Sequence, residues 1–196
     1  MLREFICRAS QWGDKLEASG FRAHTFIDRD SNTGALKTWA CESTLKVLRI
    51  MVFDIPRPDL LERENFSWGF TRANMIKNEA YHGQGLEIQG QVYDRLARLT
   101  NLETLVLGEV YSKGLYYTGL AMTLESGLHR LSKMTALKEL HVPHMTAWIG
   151  VEEVQWMTEH WPKLRVITDS AMSTFDREAV EWLQQHHPEV QLKSLY

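Results

Sequence analysis

The histidines are the first place to look for chemistry. His141-Val142-Pro143-His144 holds two imidazoles three residues apart, and His186-His187 holds two in succession. Imidazole is a common metal ligand. A metal site takes three or four protein ligands at recurring spacings, and neither pair has a thiol or carboxylate so placed. No metal site is therefore predicted. Gly83, Gly85 and Gly90 do not make up G-x-G-x-x-G, and no phosphate-loop lysine is present. No serine stands in G-x-S-x-G, and neither Cys7 nor Cys41 has a catalytic signature around it. The expectation is a chain with no catalytic residue, no cofactor and no small-molecule substrate.

The side chains left over suit contact with another macromolecule. Arg49, Met51, Thr104, Val106, Glu139, His141 and Thr168 alternate with apolar residues in short runs. Tyr111, Tyr116 and Tyr117 stand in a short loop containing glycine, and aromatic loop residues are frequent interface anchors. A formal net charge of −3 with no basic run argues against nucleic acid as the partner. The sequence has no apolar run long enough to span a membrane, and its start is too weakly apolar for a signal peptide. Two cysteines give no disulfide framework. Together these features predict a cytoplasmic or nuclear protein whose partner is a protein or peptide.

The elements that must position these residues come from a repeat. Glu152, Val154, Trp156, Met157, His160, Pro162 and Leu164 return 26 positions later as Glu178, Val180, Trp182, Leu183, His186, Pro188 and Val190. Gly150 and Asp176 are acceptable helix N-caps, and glutamates follow in the first turn, where the helix dipole favours them. Val154, Met157 and Trp161 give one apolar stripe, as do Val180 and Leu183. Pro162 and Pro188 then turn the chain out of the helix. Short extended runs follow at Leu164 to Ile167 and Val190 to Leu192. The unit is helix, turn, strand, and its repetition stacks parallel strands on one side and helices on the other.

An apolar frame extends the pattern toward the N-terminus. Leu45, Leu48, Ile50 and Phe53 share their spacing with Leu102, Leu105, Leu107 and Val110, and with Leu137, Leu140, Val142 and Met145. Leu164, Ile167 and Met172 fit a fourth copy, in which Asp169 interrupts the third position. This is the L-x-x-L-x-L frame of a leucine-rich repeat. The predicted fold is an α/β leucine-rich-repeat solenoid over residues 39–196, with a curved parallel sheet on the concave side and helices on the convex side. Residues 1–38 are read as an atypical cap or a decayed first repeat, with a helix to about Ala18 and a strand over Phe21 to Ile27. Strand alternation directs Arg49, Met51, Thr104, Val106, Glu139, His141 and Thr168 onto the open concave face.

Several runs together resemble the C-terminal leucine-rich-repeat region of fungal F-box proteins. They are Leu102-Glu-Thr-Leu105-Val-Leu107, Leu124-Glu-Ser-Gly127-Leu128, Ile149 to Met157, and His160-Trp161-Pro162-Lys163-Leu164. The resemblance covers roughly residues 39–172. It implies a ribonuclease-inhibitor-like solenoid that holds a protein substrate for a cullin-RING ubiquitin ligase. No F-box is read in residues 1–38, so the part implied is the substrate-holding one. The usual Asn or Cys of the repeat's turn is replaced by Phe53, Val110, Met145 and Met172, which predicts turns closed by apolar packing. The alternative reading is a free-standing scaffold or regulatory module unrelated to ubiquitin. Residues 54–90, with Pro56, Pro58, Phe66, Trp68, Phe70 and Tyr81, are read as a long connection.

Overall fold

The computed structural model describes residues 15–17, 21–53, 55, 57, 84–108, 119–143, 149–169 and 175–194. Its main sheet joins six short strands: β1 (Lys15–Glu17), β3 (Val47–Ile50), β5 (Thr104–Leu107), β6 (Glu139–Val142), β7 (Val166–Asp169) and β8 (Gln191–Ser194). They lie side by side in that order, and every pairing is parallel. The ends of the row do not meet, so this is an open sheet and not a barrel. A separate parallel pair joins β2 (Phe21–Arg22) to β4 (Val52–Phe53). Among the described residues the helices are α1 (Ala23–Ile27), α2 (Gly85–Leu96), α3 (Val151–His160) and α4 (Arg177–His186), with a 3-10 helix over Leu128–Lys133.

Register follows the apolar pattern. Leu48, Leu105, Leu140, Ile167 and Leu192 are successive partners across the sheet, and the first four are fully buried. A slip of one residue would turn this row to the opposite face, so burial fixes the pairing. The same turn precedes each of four strands. The N–H of Leu102 donates to Leu99, that of Leu137 to Met134, that of Leu164 to Trp161 and that of Val190 to His187. The backbone carbonyls of Lys46, Glu103, Lys138 and Arg165 then each accept from the following unit, at 2.8 Å.

The helices cover one side of the sheet. Val154, Met157, Ala179 and Leu183 are buried in the same cluster as Leu140 and Ile167. The 26-residue copies agree in detail: the His160 ring N–H donates to the Trp156 carbonyl and that of His186 to Trp182, both at 2.9 Å. Each imidazole stacks on the indole one turn back, at 4.5 and 4.6 Å. Glu153 accepts from the Gly150 N–H at 3.0 Å and closes the N-terminus of α3. The agreement stops at the strand, because Val166 pairs with Gln191, a spacing of 25. That shorter step puts Leu192, and not Lys193, beside Ile167.

Among the described residues before β6, the 3-10 helix over Leu128–Lys133 and a folded connection over residues 119–127 cover the sheet. The Tyr93 hydroxyl and the Ser126 hydroxyl both donate to the Ala121 carbonyl, and the Ala121 N–H donates to Gln89 at 2.9 Å. Burial pushes the Tyr93 phenol well above its usual pKa, so it stays a donor. Gly127 makes the turn into the 3-10 helix at φ 117°, and a Cβ there would lie 3.0 Å from Tyr93 Cδ2. Gly127→Ala should cost about 1–3 kcal/mol through forbidden backbone and crowding together. Gly34→Ala, at φ 68° with open space around it, should cost less. Thermal unfolding of the two variants compares them, and equal losses would contradict the role given to Tyr93.

The N-terminal part departs from expectation. Residues 15–17 are strand, not the end of a helix, because they pair with β3. Only Phe21–Arg22 of the expected strand is extended, and α1 follows. Ala23, Phe26 and Ile27 are buried, a helical spacing that five residues are too few to announce. Asp28, at φ 44°, ends the helix with its N–H on the His24 carbonyl. The connection read over residues 54–90 is helical from Gly85, and Pro56, Pro58, Phe66, Trp68, Phe70 and Tyr81 lie outside the described residues.

Candidate functional site

The sheet face away from the helices carries two rows of side chains. One runs Val47, Thr104, Glu139, Val166 and Gln191, the other Arg49, Val106, His141, Thr168 and Lys193. Each row exists because residues two apart on a strand share a face and parallel partners stand side by side. The sequence places Arg49, Thr104, Val106, Glu139, His141 and Thr168 on one face, and the structure brings them together there. Met51 follows β3 and is half-buried, with its carbonyl accepting from the Phe21 N–H at 2.7 Å.

The polar centre of the face is a small hydrogen-bonded group. The Thr104 hydroxyl reaches Glu139 Oε2 at 3.5 Å, and His141 Nε2 lies 3.2 Å from the same oxygen. With a carboxylate as its partner, that ring nitrogen is the one carrying hydrogen. Glu139 therefore acts as an acceptor that fixes the imidazole, while Arg49 and Lys193 add exposed cations on either side. The set can donate and accept hydrogen bonds around the apolar patch of Val47, Val106 and Val166. Among the described residues, no three His, Cys, Asp or Glu side chains come together as a metal site.

Two residues expected to be open are not. Val106 is 7% exposed and Thr168 is 3% exposed. Val106 sits between Arg49 and His141 in its row, and Thr168 between His141 and Lys193. Their part in any contact is to set the floor between Arg49, His141 and Lys193. Pro143 is also buried. Tyr111, Tyr116 and Tyr117 lie outside the described residues, as do Val110, His144, Met145 and Met172.

Lys193 and Gln191 belong to this face but were not among the expected contacts. Extrapolating the 26-residue offset puts Lys193 opposite Ile167 in the core, which hides it. The preference for burying Leu192 over a lysine was the available signal. No helix among the described residues is long and apolar enough to cross a membrane. No protein-family model matches the sequence, and no curated protein matches it.

Proposed function

We propose that this chain is a leucine-rich-repeat solenoid, ribonuclease-inhibitor-like, whose open sheet face holds a segment of a protein partner. The supporting observation is the in-register stack of Leu48, Leu105, Leu140 and Ile167, which forces Arg49, Thr104, Glu139 and His141 out on the other side. Such a face offers hydrogen-bonding groups of both kinds and an apolar floor, as a peptide backbone with its side chains requires. Tyr111, Tyr116 and Tyr117 follow β5 in sequence and join the proposal as aromatic anchors. The resemblance to F-box proteins adds that the partner is a ligase substrate, held in the cytoplasm or nucleus. A captured partner whose ubiquitination in the source organism depends on a cullin-RING ligase favours that role over a free-standing scaffold.

The test is the double variant Arg49→Ala with His141→Ala. Arg49 is exposed, and His141 is half-buried with its hydrogen bond to Glu139, so the pair of changes should cost about 1–2 kcal/mol and leave the chain folded. Proteins enriched on the immobilised wild type from a lysate of the source organism should fall by about ten-fold on the variant. An unchanged set would place the contact elsewhere.

A further inference from the structure

On the helical side of the molecule a second surface stands apart from the sheet face and does not depend on it. Gln155, Thr158 and Glu159 of α3, with Trp182 of α4 and His187 just after it, line a cleft of about 380 Å³. Its origin is a difference between the two 26-residue copies. Trp161 at the end of α3 is fully buried, and its ring N–H donates to the Leu131 carbonyl at 3.1 Å. The residue 26 positions on is His187, whose smaller ring stands 5.5 Å from the Trp182 ring where Trp161 stands 5.4 Å from Trp156. The first copy fills its space between units with an indole. The second leaves a cleft that an indole lines.

We propose that this cleft is an interaction site for a lysine or arginine side chain of a protein partner. One face of the Trp182 indole stacks on His186 at 4.6 Å, the part of the ring that lines the cleft can attract a cation through its quadrupole, and Glu159 supplies a carboxylate in the same wall. The Glu159 side chain is 78% exposed, with one carboxylate oxygen 3.9 Å from His160 Nδ1, so an incoming cation can still reach it from solvent. The surroundings have the matching sign. Glu152, Glu159, Glu178 and Glu181 are exposed on the two helices, against one arginine, Arg177, which is held 2.8 Å from Glu181. Glu189 adds a further carboxylate beside the His187 ring, at 3.1 Å, with the exposed Arg165 after α3 acting on it as a cation. An anion would meet Glu159 in the cleft, and an apolar side chain would cover its carboxylate without giving it a partner. A cationic side chain satisfies the indole and the carboxylate together.

Fluorescence anisotropy of a labelled peptide with lysine and arginine set among glycine and serine tests this, with the glutamate version of the peptide as control. The wild type should bind the basic peptide, release it as salt rises, and ignore the acidic one. His187→Trp restores the plug of the first copy and should weaken binding at least about ten-fold without loss of stability. Trp182→Ala and Glu159→Gln should each weaken it about five-fold. Glu159→Gln, an exposed change, keeps the test open if His187→Trp does not fold. Arg49→Ala with His141→Ala should leave this binding unchanged, which separates it from the sheet face. Absence of binding by the wild type, wild-type affinity in His187→Trp and Glu159→Gln, or loss in the sheet-face variant would each overturn the proposal.

Discussion

Arg95→Ala is expected to remove about 3–5 kcal/mol of stability, the usual result of breaking a buried charged network. Arg95 lies in α2 and its side chain has no exposed surface. It donates to the backbone carbonyls of Ile27, Asp28 and Lys37 and to Glu42, and its guanidinium sits 4.7 Å over the Trp39 ring. Burial lowers the pKa of the guanidinium, and the Glu42 carboxylate works against that shift to keep the charge. One side chain thus binds the segment from Ile27 to Glu42 to the helix that precedes β5. Alanine takes the donor from the Ile27 and Lys37 carbonyls, while Asp28 keeps the Lys37 N–H at 3.0 Å, and it opens a void beneath Trp39.

The partner variants separate causes. Glu42→Gln keeps size but leaves Arg95 charged without its carboxylate, so it should also cost several kcal/mol. Arg98→Ala removes a partly exposed arm of the same carboxylate, 34% exposed and 3.0 Å away, and should cost about 1 kcal/mol or less. Urea unfolding of the three variants gives the order. A loss below about 1 kcal/mol in Arg95→Ala would mean that the N-terminal segment is held by apolar packing alone.

Much of the sheet was readable because its signal is local. Leu48, Leu105 and Leu140 each sit three residues after another leucine, and Pro162 and Pro188 mark where helix gives way to turn. The network around Arg95 was not readable, since its partner Glu42 is 53 residues away and nothing near either residue points to the other. β1 has three residues and α1 five, too short for either period to show. The candidate face was legible as a set of alternating positions, but its relief was not. Val106 is buried while Val166 in the neighbouring row is half-buried, a difference that alternation within one strand does not carry. The shift that places Lys193 on the face is a competition between leucine and lysine for the buried row. Periodicity alone does not express it.

A second large effect depends on position in the row of parallel strands. Leu140→Ala should cost about 3–5 kcal/mol, because the side chain is fully buried at the centre of the sheet with Leu105 and Ile167 as its partners. Leu192→Ala removes the same atoms from the edge strand, where the side chain is half-buried and has a strand on one side only, and should cost about 1 kcal/mol. In a chain whose total stability is of the usual 5–15 kcal/mol, the first change approaches global unfolding and the second does not. Hydrogen exchange should show the difference in kind. Leu140→Ala should raise exchange in β5, β6 and β7 together, since β6 pairs with both neighbours and shares their buried row. Leu192→Ala should raise it in β8 and α4 and leave β5 protected. Equal losses in the two variants, or exchange confined to β6 in the first, would mean that the strands do not act as a stack, and the face that depends on their common register would lose its physical basis.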